Sequence, residues 1–225
     1  MAITIFMKRK SVANLDIEQS LWLKNLLIIG IDEVGRGALS GPMYVGAACL
    51  KPAIEDDEIV KLNRMGINDS KQLTKEKREK LYPQIKKILL GFTTVAISVE
   101  YINKNGIQNA TKKAFQKAAI KLMDKIGKNK YFILLDGYEI TKIKHRYCKG
   151  QKGIIHGDSL SISIAAASII AKVERDRYMD KLSLKFPRYK WDKNKGYGTK
   201  AHTQALKKLG KTPHHRDLYI RNFLK

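Results

Sequence analysis

Cysteine is nearly absent from the chain. Cys49 and Cys148 are the two it has, which fits neither a disulfide framework nor a zinc-ligand spacing. The sequence therefore reads as that of a reduced, cytoplasmic protein. Cys49, inside the apolar GAACL, reads as a small core residue. Cys148, in HRYCKG, reads as a free surface thiol, although its basic neighbours could lower its pKa. Long apolar runs are missing too: none approaches the ~20 residues of a spanning helix, which speaks against a membrane protein. The N-terminal MAITIFMKRKSVAN puts its basic residues after a very short apolar stretch, the reverse of a signal peptide. There is no internal repeat and no low-complexity segment.

Acids are scarce as well. Asp and Glu number 21 against 44 Lys and Arg, a net charge of +23. A merely soluble basic surface needs far less than this, so the surplus points to a polyanionic partner, and with membranes disfavoured that means nucleic acid. The 225 residues suit one large domain or one domain with an appendage, and the 44% apolar share is enough for a full core.

Apolar patterning predicts buried strands over NLLIIGIDE (25–33), MYVGAACL (43–50) and YFILLDG (131–137), and an alternating strand over GFTTVAISVE (91–100). Helices are expected over about Thr74 to Leu90 and along the stripe Ala114, Phe115, Ala118, Ala119, Leu122, Met123 and Ile126. Lys112, Lys113, Lys117, Lys121 and Lys125 form that helix's solvated face. A long helix is read over 158–182 and two short ones at the end. Residues 1–24 read as a frayed end and a short helix, PAIEDDEI as a charged loop, and the stretch after Gly137 as a basic hairpin-like segment. Alternating strands and helices from about residue 70 onward make the class α/β.

The acids fall at telling places. Asp32 and Glu33 end the first strand, Asp136 ends another, and Asp158 stands near the start of the long helix. Taken singly, Asp158 reads as a helix N-cap and Asp136, before Gly137, as a turn residue. Together they would converge carboxylates at strand ends, where open α/β sheets hold their sites, in a protein otherwise strongly basic. Converging carboxylates need a cation. Hard oxygen ligands from separate elements suit Mg²⁺ or Mn²⁺, and a pair of such ions can hydrolyse a phosphodiester. Arg36, between Gly35 and Gly37, adds a guanidinium for phosphate and a backbone that a ligand can approach closely.

GIDEVGRGALSGP, NDSKQL, LLDG, HGDSLSISIAAASIIAKVERD and NKGYGT, in this order, resemble the bacterial ribonuclease H type 2 (ribonuclease HII) family from about residue 27 to the end. The resemblance implies a ribonuclease H-like fold: a mixed central sheet flanked by helices, with a small helical C-terminal part. It implies an N-terminal extension over 1–24, a catalytic domain over 25–186 and a substrate-binding part over 187–225. The activity implied is a metal-dependent endoribonuclease that cleaves RNA in RNA–DNA hybrids and incises 5′ to single ribonucleotides embedded in duplex DNA, leaving a 3′-hydroxyl and a 5′-phosphate.

Carried over residue by residue, Asp32, Glu33, Asp136 and Asp158 would form a centre for two ions, Mg²⁺ or Mn²⁺. Gly35, Arg36 and Gly37 would sense the ribose 2′-hydroxyl and its phosphate, Lys71 would contact a phosphate, and Tyr197 would stack on the following deoxyribose, its flanking glycines leaving the nucleotide room. Type 3 relatives usually carry lysine at the place of Arg36 and an extra N-terminal domain, for which the roughly 25 residues before the first strand are too few. A monomer is expected. No clamp-binding motif follows RNFLK, so recruitment by a clamp protein stays open.

Other residues read as structural. Trp191 reads as packing. Glu174, Asp176 and Asp180 read as surface partners of Arg175 and Arg177. The five histidines make no metal spacing, though His214 and His215 could touch phosphate. The rival readings are a non-catalytic duplex binder, which would not put carboxylates where phosphates lie, and another nuclease of the same fold, such as a resolvase or integrase.

Overall fold

A computed structural model of the chain describes residues 13–52, 55–137 and 141–224. In chain order its elements are α1 (Asp16–Trp22), β1 (Leu27–Val34), β2 (Met43–Leu50), α2 (Asp56–Arg64), α3 (Lys75–Ile88), β3 (Leu89–Ile97), α4 (Val99–Ile126), β4 (Tyr131–Asp136), β5 (Cys148–Ile154), α5 (Ile162–Lys185), α6 (Trp191–Asn194), α7 (Lys200–Leu209) and α8 (Asp217–Ile220). The sheet is mixed, with strand order β3-β2-β1-β4-β5. β2 pairs antiparallel with β1 and β3, whereas β4 pairs parallel with β1 and β5.

Side chains alternate across β1 and sort into two layers. Ile29 and Ile31 join Val45, Ala47 and Cys49 against the α4 stripe of Ala114, Phe115, Ala118 and Leu122. Ile28, with Leu134, meets Ile164 of α5 on the opposite face, where Ala48 and Leu50 also meet α5 and α3. α5 comes exceptionally close because two strand positions are bare. A Cβ on Gly30 would fall on the Ser163–Ile164 backbone, and one on Gly46 on the Ala167 carbonyl. Glu18 of α1 anchors the start of α5, accepting from Ser161 Oγ (2.5 Å) and Ser163 N (2.9 Å). Its burial raises its pKa.

Several local readings change. α5 begins at Ile162, and its N-cap is Ser161, which accepts from Ile164 N. Asp158 lies instead in a 3₁₀ turn, Gly157–Ser159, that precedes the helix. The charged segment read as a loop contains α2, whose Leu62 is buried against the α3 and α5 cluster. The basic hairpin-like segment contains β5, an edge strand whose sequence CKGQKGI shows no apolar alternation; residues 138–140 lie outside the described part. α4 starts at Val99 and kinks at Gly106, which has φ 76° and ψ 160°. α1 is the short helix expected in the N-terminal segment, and the frayed end lies outside the described residues.

Trp191 is fully buried, stacked on Tyr189 at 5.1 Å. Its indole N–H donates to His202 Nε2 (3.0 Å). His215 Nδ1 accepts from Thr212 N (2.9 Å), which puts the His215 proton on Nε2, 3.2 Å from His202 Nε2. His202 then carries its proton on Nδ1, where it meets the Tyr197 carbonyl at 2.9 Å. Burial depresses both imidazoles, His215 to about 4. His215 is buried and so not available to a phosphate. Cys49 is buried and its thiol is pushed up to about 12. Burial raises Cys148 too, the opposite of what its basic neighbours suggested.

Candidate active site

The register of β1 on β4 builds the centre. The parallel pairing runs from Leu27↔Tyr131 to Ile31↔Leu135. The next residues, Asp32 and Asp136, therefore end side by side on the α5 face. The 3₁₀ turn ahead of α5 adds Asp158, whose N–H reaches Asp136 Oδ1 at 3.4 Å. One carboxylate oxygen from each of Asp32, Asp136 and Asp158 lies within 4.8 Å of the others. Asp32 accepts from Glu33 N (2.6 Å) and from the Ser168 hydroxyl of α5.

Glu33 stands beside this trio: its carboxylate meets Arg36 Nη1 at 3.6 Å, and it is near enough to Asp136 and Lys71 to feel both charges. Lys71 Nζ stands 3.8 Å from Asp158 Oδ2.

Burial and mutual repulsion dominate the electrostatics of these acids. Burial, then Asp136 and Glu33, push Asp32 well above the usual carboxylate range. Burial raises Glu33 to about 7 against the pull of Arg36, with Asp136 adding to the rise. Burial, then Asp136 and Asp69, raise Asp158 to about 6. Burial lowers the Lys71 ammonium, but Asp32, Asp69, Asp158 and Asp136 outweigh it and hold the group above its usual value. Three hard oxygen donors from separate elements, with Asp32 and Asp158 held back from ionising by burial and by their acidic neighbours, fit a divalent cation that would favour the charged forms.

A cleft of about 560 Å³ opens beside the acids, lined by Glu33, Gly35, Arg36, Gly37, Ser70, Lys71, Arg78, Lys172 and Tyr197. It gathers the five residues to which the family resemblance gives substrate contacts, Gly35, Arg36, Gly37, Lys71 and Tyr197. Gly35 has φ 87°, and a Cβ there would fall on the Arg175 guanidinium. Gly37 has nothing within 4 Å of a Cβ position and is open to a ligand. The glycines around Tyr197 also answer a packing need. A Cβ on Gly196 would fall on the Ser40 carbonyl, and one on Gly198 would meet Leu39 at 3.1 Å, so both permit loop-on-loop packing. The Tyr197 ring has Arg175 at 5.4 Å and Lys172 at 5.9 Å.

Sequence reading missed Asp69, Ser168, Arg78 and Lys172. Their elements were legible, but nothing local marks them. Arg175 and Asp176 are not surface partners: Arg175 has no exposed surface, and buried Asp176 takes Lys172 at 2.7 Å and Arg78 at 3.6 Å. Arg177 pairs at the surface with Glu79 (2.6 Å), and Asp180 with Lys75 (3.4 Å).

The ribonuclease HII family model matches residues 29–224. The ribonuclease HII of Desulfitobacterium hafniense (strain Y51) is 45% identical over 200 residues, covering 88% of this chain and 71% of the relative. Among solved structures, the ribonuclease H2 of Pyrococcus horikoshii superposes with a TM-score of 0.69 at 25% identity, over 88% of this chain and 97% of that one. The structure of the PCNA:RNase HII complex from Archaeoglobus fulgidus matches with a TM-score of 0.65 at 25% identity, over 85% and 94% of the two chains. With fold, acid cluster and family model in agreement, the chain belongs to the ribonuclease HII family, metal-dependent ribonucleases H of type 2 that cleave the RNA of RNA–DNA hybrids.

Proposed function

We propose that the chain incises duplex DNA 5′ to a single embedded ribonucleotide, besides cleaving RNA in hybrids, and that it does so with two divalent ions, Mg²⁺ or Mn²⁺. The observation that carries this reading is the cleft itself, which sets three clustered carboxylates beside a basic, glycine-lined wall bearing one aromatic ring. Asp32, Asp136 and Asp158 would hold the ions, with Glu33 completing the acid set at the rim. Bound there, divalent ions would supply positive charge that eases deprotonation of the attacking water and stabilises the leaving 3′-oxygen.

The chain's own groups do the rest. Lys71 and Arg36 neutralise the phosphates on either side of the acids. The backbone of Gly35, Arg36 and Gly37 meets the ribose 2′-hydroxyl. Tyr197 packs on the next sugar, where an added 2′-hydroxyl would be crowded; sugar-edge reading of this kind distinguishes RNA from DNA. Residues 187–225 act as the substrate-binding part beside a catalytic domain over 25–186, with 1–24 as an extension. We propose a monomer working in the cytoplasm. A sliding-clamp partner is supported by the Archaeoglobus fulgidus complex, and among the described residues no helix is long and apolar enough to cross a membrane.

The test is incision of a duplex carrying one ribonucleotide in Mg²⁺, in Mn²⁺ and in chelator. A 3′-hydroxyl and 5′-phosphate at the ribonucleotide's 5′ side, in either metal and not in chelator, is expected. Cleavage in chelator, or none at the single ribonucleotide, refutes the reading.

A further inference from the structure

Two arginines lie wholly inside the molecule: Arg175 on α5 and Arg216 just ahead of α8. A buried guanidinium is expensive unless its charge and donors are met. Among the described residues, neither is within ion-pair distance of a carboxylate. Burial depresses both guanidinium groups; Arg216, at about 10, stays charged near neutrality.

Their donors go to backbone carbonyls of the two substrate-facing loops. Arg175 donates to Pro42 O (3.0 Å), Ser40 O (3.2 Å) and Lys195 O (2.9 Å). Arg216 donates twice to Gly41 O (3.1 and 2.8 Å) and, through Nη1, to Arg36 O at 2.8 Å. Backbone bonds tie the loops further, from Leu39 N to Gly196 O (2.8 Å) and from Arg216 N to Leu39 O (2.8 Å). The turn after β1 and the loop carrying Tyr197 are therefore tied to one another through these bonds.

The contact with Arg36 O has a chemical consequence. That carbonyl and the Gly37 N–H belong to the same peptide group. A charged donor on the carbonyl draws electron density toward oxygen and makes the N–H a stronger donor, as in any polarised hydrogen-bond chain. Gly37 is exposed, and among the described residues its N–H has no partner. It is a donor held ready for a ligand.

We propose that Arg216 is a positioning residue for sugar discrimination: it fixes and polarises the Arg36–Gly37 peptide so that the Gly37 N–H donates to the ribonucleotide's 2′-oxygen. This rests on the sugar-reading role given above to residues 35–37. Two observations make it more than a structural tie. Its charge has no acid to satisfy, and the one peptide it grips at the cleft is the one with an unmet N–H.

The test compares binding, in chelator, of a duplex with one ribonucleotide and the same duplex all-deoxy. Arg216→Gln should cut the preference for the ribonucleotide by about tenfold, the worth of one hydrogen bond, while leaving all-deoxy affinity within about threefold. Arg216→Lys keeps the charge but cannot span both carbonyls, so it should recover part of the preference. A merely structural arginine would weaken both duplexes together. A folded Arg216→Gln with wild-type preference overturns the proposal, whereas a wild type with no preference overturns the sugar-reading role itself. Should neither variant fold, the wild-type Gly37 amide decides. Its proton resonance should move further downfield with the ribonucleotide duplex than with the all-deoxy one, and equal shifts overturn the proposal.

Discussion

Gly30→Ala tests whether the closeness of α5 to the sheet builds the acid cluster. Gly30 has no positive φ, so alanine meets no backbone strain, and in open space it would stabilise by about 0.4–1 kcal/mol through the unfolded chain. There is no open space. The new Cβ would sit inside 3.0 Å of the Ser163 and Ile164 backbone, a distance that real Cβ atoms essentially never show. Main chain cannot swing aside as a side-chain tip can, so α5 would have to retreat by about 1 Å to restore van der Waals contact.

Overpacking of this kind costs about 1–3 kcal/mol, which outweighs the entropic gain. At about 2–4 °C per kcal/mol for a chain of this size, the melting temperature should fall by up to about 10 °C. The same retreat draws Ser168 off Asp32 and shifts the turn that carries Asp158. A misplacement of about 1 Å can cost on the order of 100-fold in turnover. Thermal melting and single-turnover cleavage of a hybrid, measured well below the variant's own melting point, report the two effects separately. A variant that melts at or above wild type and cleaves within twofold would refute the claim that bare strand positions set the site.

Four further outcomes are expected. Asp136→Asn should raise the metal-free melting temperature by relieving the repulsion that lifts Asp32 and Asp158, yet lose the thermal shift on adding Mg²⁺ and most cleavage; an undiminished Mg²⁺ shift excludes Asp136 from the ion site. Tyr197→Ala should melt close to wild type, since the ring is half-exposed, and lose more activity on a single ribonucleotide than on a long hybrid; equal losses count against sugar stacking. Duplex affinity should fall steeply with salt, by about 0.9 log units per tenfold salt for each phosphate neutralised, and a flat plot removes the electrostatic role of Lys71 and Arg36. His215 is depressed to about 4 in the fold, so the unfolded chain binds a proton that the folded chain excludes, and this contribution to stability is lost as pH falls from about 6.5 toward 4. The limit is about 3 kcal/mol. The raised carboxylates act with the opposite sign, so the slope is read as wild type minus His215→Gln; parallel curves refute it.

Much of the site could be read along the chain because its acids sit where local pattern changes. An apolar run that stops at Asp32-Glu33, another that stops at Asp136, and Gly-Arg-Gly between strands are all local signals, and the charge surplus needs no folding to be counted. Adjacency in sequence did not show how the pair divides: Asp32 lies in the trio with Asp136 and Asp158, and Glu33 beside it meets Arg36. β5 was illegible because an edge strand with polar surroundings has no core face to impose alternation.

The sequence by itself determined the elements that bury apolar stripes and the residues that carry charge to their ends, since period and composition act over a few neighbours. Only the tertiary structure decided which charges meet. The register of β1 on β4 put Asp32 beside Asp136, and two bare glycines let α5 bring Ser168 close and set Asp158 against them. It also decided that Arg175, which reads in sequence as a surface partner, and Arg216 lie inside, gripping carbonyls of segments over 130 residues away. Such pairings depend on distances across the fold, and burial alone gives them their strength, because a charge desolvated among peptide dipoles has no water left to answer it.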